Sequence, residues 1–164
     1  MKKGHEGFRA GRHEQLLQEF EHDSYKSRHK LADYTRCPDC GAVYIGGRWT
    51  WNSAPAGSPE ERCPACHRMH DKFPAGFVSI NGPFFASHRE EIMNRVTSCE
   101  RSARQDHPLE RIMAIEGGES GVMVTTTDPH LARRIGEALH DAYKGTLDYQ
   151  YNKEDNLLRV TWSR

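Results

Sequence analysis

Two short cysteine clusters constrain this chain more than any other feature. Cys37-Pro38-Asp39-Cys40-Gly41 and Cys63-Pro64-Ala65-Cys66-His67 are matched C-P-x-C knuckles separated by 22 residues. In such a knuckle the two-residue spacer turns the backbone so that both sulfurs meet one ion, with backbone N–H groups pointing at them. Gly41 permits the tight turn after the first pair. Cys37, Cys40, Cys63 and Cys66 together complete a tetrahedral four-sulfur site with no open position, which makes it structural rather than catalytic. One structural Zn2+ is the expected cofactor. Its binding contributes on the order of 10–16 kcal/mol of apparent free energy, enough to order a module with almost no core.

The fifth cysteine is Cys99, and an odd count dominated by two pairs points to metal or redox chemistry rather than to a disulfide framework. An iron bound by the same four sulfurs, as in a rubredoxin-like electron carrier, is the alternative metal. His67 stands where such carriers usually place glycine. His67 and His70 read as surface residues, because four thiolates already fill the shell. No stretch reaches the roughly 20 apolar residues of a membrane span, so a soluble, cytoplasmic protein is expected.

Three regions follow. Residues 1–36 hold eight Lys/Arg, six Asp/Glu and four His with few apolar side chains, the composition of a flexible basic tail with at most one short helix near His13–His22. Residues 37–75 are rich in Pro and poor in periodicity, which suits a loop-built zinc ribbon with a flexible insertion at 52–59. Residues 76–164 show regular patterning. Phe77–Ile80 reads as a strand. A helix follows Pro83 with Phe85, Ile92, Val96, Cys99 and Ala103 as its buried stripe. Ile112–Glu116 and Val122–Thr127 make a hairpin. Asp128-Pro129 opens a helix with Leu131, Ile135, Leu139 and Ala142 on one face and Gly145 at its end. Two alternating strands close the chain. The class is α+β, and the predicted order is a ferredoxin-like βαββαβ domain with an extra C-terminal strand.

With 23 basic and 23 acidic side chains, net charge does not mark a nucleic-acid binder, so any such contact must rest on local clusters. Three clusters qualify. Lys26, Arg28, Lys30 and Arg36 lie in a segment with interleaved tyrosines and a single acid, Asp33. Arg48, Trp49 and Trp51 set a cation beside aromatic rings, the combination that grips a phosphate and a base; the same tryptophans would equally close the ribbon's core or dock it on the following domain. Arg133 and Arg134 project off the apolar face of their helix. Asp128 and His130 resemble an acid–base pair, but a helix N-cap explains Asp128 without chemistry. Cys99 behaves as a small hydrophobe on its helix. No nucleophile, base and orienting group form a set, so the chain is read as non-enzymatic, with no small-molecule substrate.

Taken together, Arg36–Tyr44, Cys63–Cys66, Gly82–Phe85 and Thr125–Leu139 resemble a family of small bacterial zinc-ribbon proteins over about residues 25–164. More weakly, the order of ribbon then α+β domain is similar to part of the nonsense-mediated-decay-three family of large-subunit export adaptors, which bind the large ribosomal subunit through a zinc-bearing N-terminal region. That family carries more cysteine pairs than the single site here. Only the ligands Cys37, Cys40, Cys63 and Cys66 transfer residue by residue. The resemblance implies a ribosome-associated factor contacting rRNA of the large subunit, in ribosome hibernation, the stress response or assembly. A zinc-ribbon protein–protein adaptor is the alternative from another class.

Overall fold

The computed structural model describes residues 25–27, 29–118 and 120–164. The expected helix near His13–His22 and the candidate Arg28 lie outside the described residues. The described residues form two sheets. The smaller is an antiparallel three-stranded sheet in the order β1-β2-β3, built from β1 (Thr35–Arg36), β2 (Val43–Ile45) and β3 (Arg48–Thr50). Gly46 and Gly47, at φ 60° and 87°, link β2 to β3. Two successive positive φ values are what a tight two-residue hairpin turn requires. The small sheet begins at Thr35, two residues ahead of the first cysteine.

Helix α1 (Pro64–Asp71) starts inside the second knuckle. The ribbon is therefore not built from loops alone. Pro64 is both the spacer of the knuckle and a first-turn proline, where its missing N–H costs nothing. Cys63 is the N-cap, and Lys72 closes the helix in the left-handed region at φ 53°.

The larger sheet has five strands in the order β5-β6-β4-β8-β7: β4 (Gly76–Asn81), β5 (Ile112–Gly117), β6 (Gly121–Thr126), β7 (Thr146–Asn152) and β8 (Leu157–Ser163). A ferredoxin-like arrangement with an appended strand would set β7 against β4. Instead β8 occupies that position, pairing in parallel with β4 from Gly76↔Leu158 to Asn81↔Ser163, and β7 is the outer edge. The buried alternation explains the choice. Leu158, Val160 and Trp162 are at most 2 % exposed, whereas the inward residues of β7, Leu147, Tyr149 and Tyr151, are only half-buried. The more apolar strand takes the interior position.

Three helices cover one face of this sheet: α2 (Pro83–Ser87), α3 (Arg89–Asp106) and α4 (Pro129–Tyr143). The single helix expected after Pro83 is broken at His88, whose φ of −126° interrupts the helical run and turns Phe85 and Ile92 onto a common core. In register, Val78 faces Val124 and Val160, and Ile80 faces Val122 and Trp162. These pack against Phe85, Ile92, Val96, Leu131, Ile135 and Leu139, each fully buried. Complete burial of such a side chain is worth about 1.5–3 kcal/mol. Ala142 is exposed, and Tyr143 closes the apolar face of α4 in its place. Gly136 lets α4 approach the sheet, since a Cβ there would meet Val160 Cγ1 at 2.6 Å.

Candidate functional site

The four paired cysteines converge. Their sulfurs all lie within 4.8 Å of one another, and those of Cys40 and Cys63 are 3.8 Å apart. A tetrahedral ion with bonds of roughly 2.3 Å to sulfur has S–S edges of about 3.8 Å, so the set is pre-shaped for one four-coordinate metal. The knuckle turns supply the local order. Gly41, at φ 81°, donates its N–H to the Cys37 carbonyl at 2.9 Å. The Cys63 N–H points at Cys37 Sγ at 3.3 Å and the Cys66 N–H at Cys63 Sγ at 3.4 Å. The Arg36 N–H donates to the Pro59 carbonyl at 2.9 Å and the Glu61 N–H to the Arg36 carbonyl at 3.0 Å, which clips the two knuckles together. Cys37 and Cys63 are fully buried, while Cys40 is half-buried.

A fifth side chain completes the cluster from the larger domain. Arg111 Nη2 donates to Cys63 Sγ at 3.2 Å and to Cys66 Sγ at 3.3 Å. Four thiolates around a divalent ion carry a net charge of about −2, and a buried guanidinium against two of them offsets half of it. The hydrogen bond from Cys63 pulls the Cys40 thiol down to about 4, with the Arg111 charge adding to it. The same shared proton, together with burial, pushes Cys63 up. Burial also raises Cys66, against the opposing hydrogen bond from Arg111. Burial works against the Arg111 charge, yet its bond to Cys66 and the field of Cys63 hold it above its ordinary value.

Arg111 is placed by its neighbours. Thr127 Oγ1 donates to the Leu109 carbonyl at 2.6 Å and accepts the Arg111 N–H at 2.9 Å, while the Thr127 N–H donates to the Arg111 carbonyl at 2.9 Å. Leu109 packs on the cysteine cluster beside Trp49. The segment from Pro108 to Arg111 is thus the joint between ribbon and domain.

Beside this joint lies a cleft of about 500 Å³, lined from both sheets' surroundings. Lys26, Arg48, Trp49 and Arg134 all reach it, so four candidates from three separate sequence clusters share one cavity. Tyr25 and Tyr44 add aromatic surface, Tyr44 meeting Trp49 edge-on at 5.6 Å between centroids. Tyr25 is seated on α1 by Arg68, 4.4 Å from its ring centre, and by a 2.9 Å hydrogen bond to Asp71. The other candidates go elsewhere. Lys30 is exposed and does not line the cleft. Arg36 pairs with Glu60 at 3.8 Å, and Arg133 with Glu137 at 2.8 Å. Trp51 docks the ribbon on α3, donating to the Arg104 carbonyl at 2.6 Å.

Glu110 enters the same cleft. Its side chain is 7 % exposed, and burial, helped by the Asp128 charge, pushes its carboxyl up to about 7. Asp128 caps α4, accepting the His130 N–H at 2.7 Å, and its bond to the imidazole raises His130. His67 and His70 stand outside the sulfur cluster. Cys99 is half-buried in the α3 stripe, where burial pushes its thiol up.

Glu110, Arg111 and Thr127 are residues of the candidate site that the sequence did not mark as such. Leu-Glu-Arg after a proline is no motif, and only the fold brings these side chains to the cysteines and the cleft. Comparisons with protein-family models, with curated proteins and with solved structures gave no match.

Proposed function

We propose that this chain is a non-enzymatic, zinc-ordered RNA-binding factor that acts in the cytoplasm on rRNA of the large ribosomal subunit, in ribosome storage or assembly. One observation carries the reading: Lys26, Arg48, Trp49 and Arg134 line a single cleft with Tyr25 and Tyr44. Cations offset phosphate charge, and aromatic faces stack unpaired bases without demanding a sequence. In this reading Cys37, Cys40, Cys63 and Cys66 hold Zn2+, which supplies rigidity and no reaction step. Its work is to fix Arg48 and Trp49 on β3 against the opposite wall of the cleft.

The test is sedimentation of the tagged full chain through sucrose gradients, from growing and from starved cells, at low and raised salt. The comparison is an Arg48→Glu, Trp49→Ala double variant. Co-migration with large-subunit particles, lost in salt and in the variant, is expected. Protein that stays at the top of the gradient in every condition overturns the proposal. A protein partner is the second reading, favoured by the balance of 23 basic and 23 acidic side chains. Association that ignores salt selects it. Metal analysis accompanies both, because an iron site in its oxidised state would colour the protein red.

A further inference from the structure

Glu110 is buried, lines the cleft, and its Oε1 has no hydrogen-bond partner among the described residues. Its nearest cations stand off. Arg134 Nε is 3.6 Å from Oε1, and His107 Nδ1 is 3.8 Å from Oε2. A carboxyl taken out of water without donors is costly, and folded proteins rarely leave one so. Its backbone is also fixed in place. The Glu110 N–H donates to the His107 carbonyl, and Leu109 and Arg111 on either side are clamped by Thr127. Glu110 lines the cavity on a held backbone, and the donor that its Oε1 lacks can be brought by a ligand.

The surroundings define that ligand. A carboxylate offers two acceptors side by side and no donor. Among nucleobases only guanine presents two adjacent donors, its imino and amino N–H groups, on one edge. Adenine and cytosine place an acceptor in the imino position, and uracil flanks its single N–H with two carbonyls. Trp49, Tyr44 and Tyr25 supply faces for a flat ring, and Lys26, Arg48 and Arg134 supply charge for a phosphate. A cavity of about 500 Å³ lies within the usual range for small-ligand sites, roughly 300–1,000 Å³.

We infer that this cleft is a guanine-selective nucleotide pocket in which the Glu110 carboxylate accepts the two N–H groups of the base while the aromatic residues stack on it. The inference rests on the RNA-binding reading and names what that site selects. Glu110 is a specificity residue, while Trp49 stacks on the base and Arg48 meets the phosphate whatever the base.

The experiment measures binding of two single-stranded RNA pentamers, UUGUU and UUAUU, and of GMP and AMP, to the full zinc-loaded chain at pH 8. The proteins are the wild type, Glu110→Gln and Glu110→Asp, with zinc content recorded for each. Expected is a preference of ~10-fold for UUGUU, the size of one good two-point base contact. Glu110→Gln, which has one acceptor and a clashing donor, abolishes it. Glu110→Asp, one methylene shorter, weakens it while retaining zinc. Pentamers bound equally, with Glu110→Gln unchanged, overturn the guanine pocket and leave the RNA reading standing. GMP bound in preference to AMP, with neither pentamer held, keeps the pocket, assigns it to a free nucleotide and overturns the RNA reading. No binding by any of the four ligands overturns both.

Discussion

Arg111 Nη2 donates to Cys66 Sγ at 3.3 Å across 45 residues of sequence, so a side chain of the α+β domain hydrogen-bonds the sulfur cluster of the ribbon. The contact sets a positive charge of the domain against sulfurs positioned to hold a metal ion. Replacing Arg111 by Met keeps an unbranched apolar stem and removes the charge and the N–H groups. Hydrogen bonds to charged groups are worth about 1.5–3 kcal/mol, so a loss of about 2 kcal/mol of stability is expected. The rate of metal transfer to a competing chelator should rise by about tenfold or more, with Arg111→Lys intermediate. A chelation time course unchanged from wild type would show that the guanidinium does not act on the sulfurs.

Cys63→Ser removes the most central ligand, since Cys63 is fully buried, caps α1 and touches both Cys40 and Arg111. Metal content should fall to near zero. Amide hydrogen exchange should lose its protection through β1, β2, β3 and α1, while β4, β6 and β8 keep theirs, because their apolar core is made without the ribbon. Uniform loss of protection across both regions would show that the larger domain depends on the metal for its fold.

The acid-side behaviour of Glu110 has a definite sign. Its carboxyl sits at about 7 in the folded chain against an ordinary 4.5, so the native state holds the proton more tightly than the unfolded state. The corresponding stability is fully present below about pH 4.5 and is lost as pH rises through 7, amounting to about 3 kcal/mol. His130 is also raised and acts in the same direction. Carbon NMR of the Glu110 carboxyl should titrate near 7, with Arg134, His107 and Asp128 the charges that face it. Glu110→Gln should gain stability relative to wild type between pH 6 and 8, measured by urea unfolding. A carboxyl midpoint below pH 5.5 contradicts the burial argument.

Gly136 tests the helix-to-sheet contact. Gly136→Ala drives a methyl against Val160 Cγ1 and Leu147 Cδ1, where a Cβ would stand at 2.6 and 3.0 Å. Overpacking of this kind costs about 1–3 kcal/mol, which exceeds the gain in helix propensity from replacing glycine. Thermal unfolding should shift downward by several degrees without any change in metal content. A rise in the midpoint would mean that β7 and β8 yield freely under α4.

What could be read in the sequence was local chemistry. Cys37, Cys40, Cys63 and Cys66 announce themselves because a knuckle is a contiguous run whose spacing is set by one ion. Asp128-Pro129 does the same for the start of α4, since the cap and the first turn are adjacent. The alternation of Leu158, Val160 and Trp162 marks a strand, but alternation does not state which strand it pairs with, so the insertion of β8 beside β4 was not visible. Helix α1 hid behind Pro64, which reads as a loop residue until its N1 position is known. Arg111 and Glu110 were invisible for a stronger reason. Their significance lies entirely in what the fold sets opposite them.

The insertion of β8 also sets the order in which the molecule can be completed. All four clustered cysteines lie within residues 37–66, so they are made early in synthesis, ahead of Arg111. β4 pairs with β8 across a long span of chain, from Gly76 to Leu158 at one end of the ladder, and loop closure of that kind is slow. Until β8 arrives, β4 presents a bare edge and β7 has no neighbour, which is the moment when a nascent chain is most open to pairing with another copy of itself. An early-made cysteine cluster beside a sheet joined across the chain separates local contacts, complete within residues 37–66, from the long-range pairing of β4 with β8.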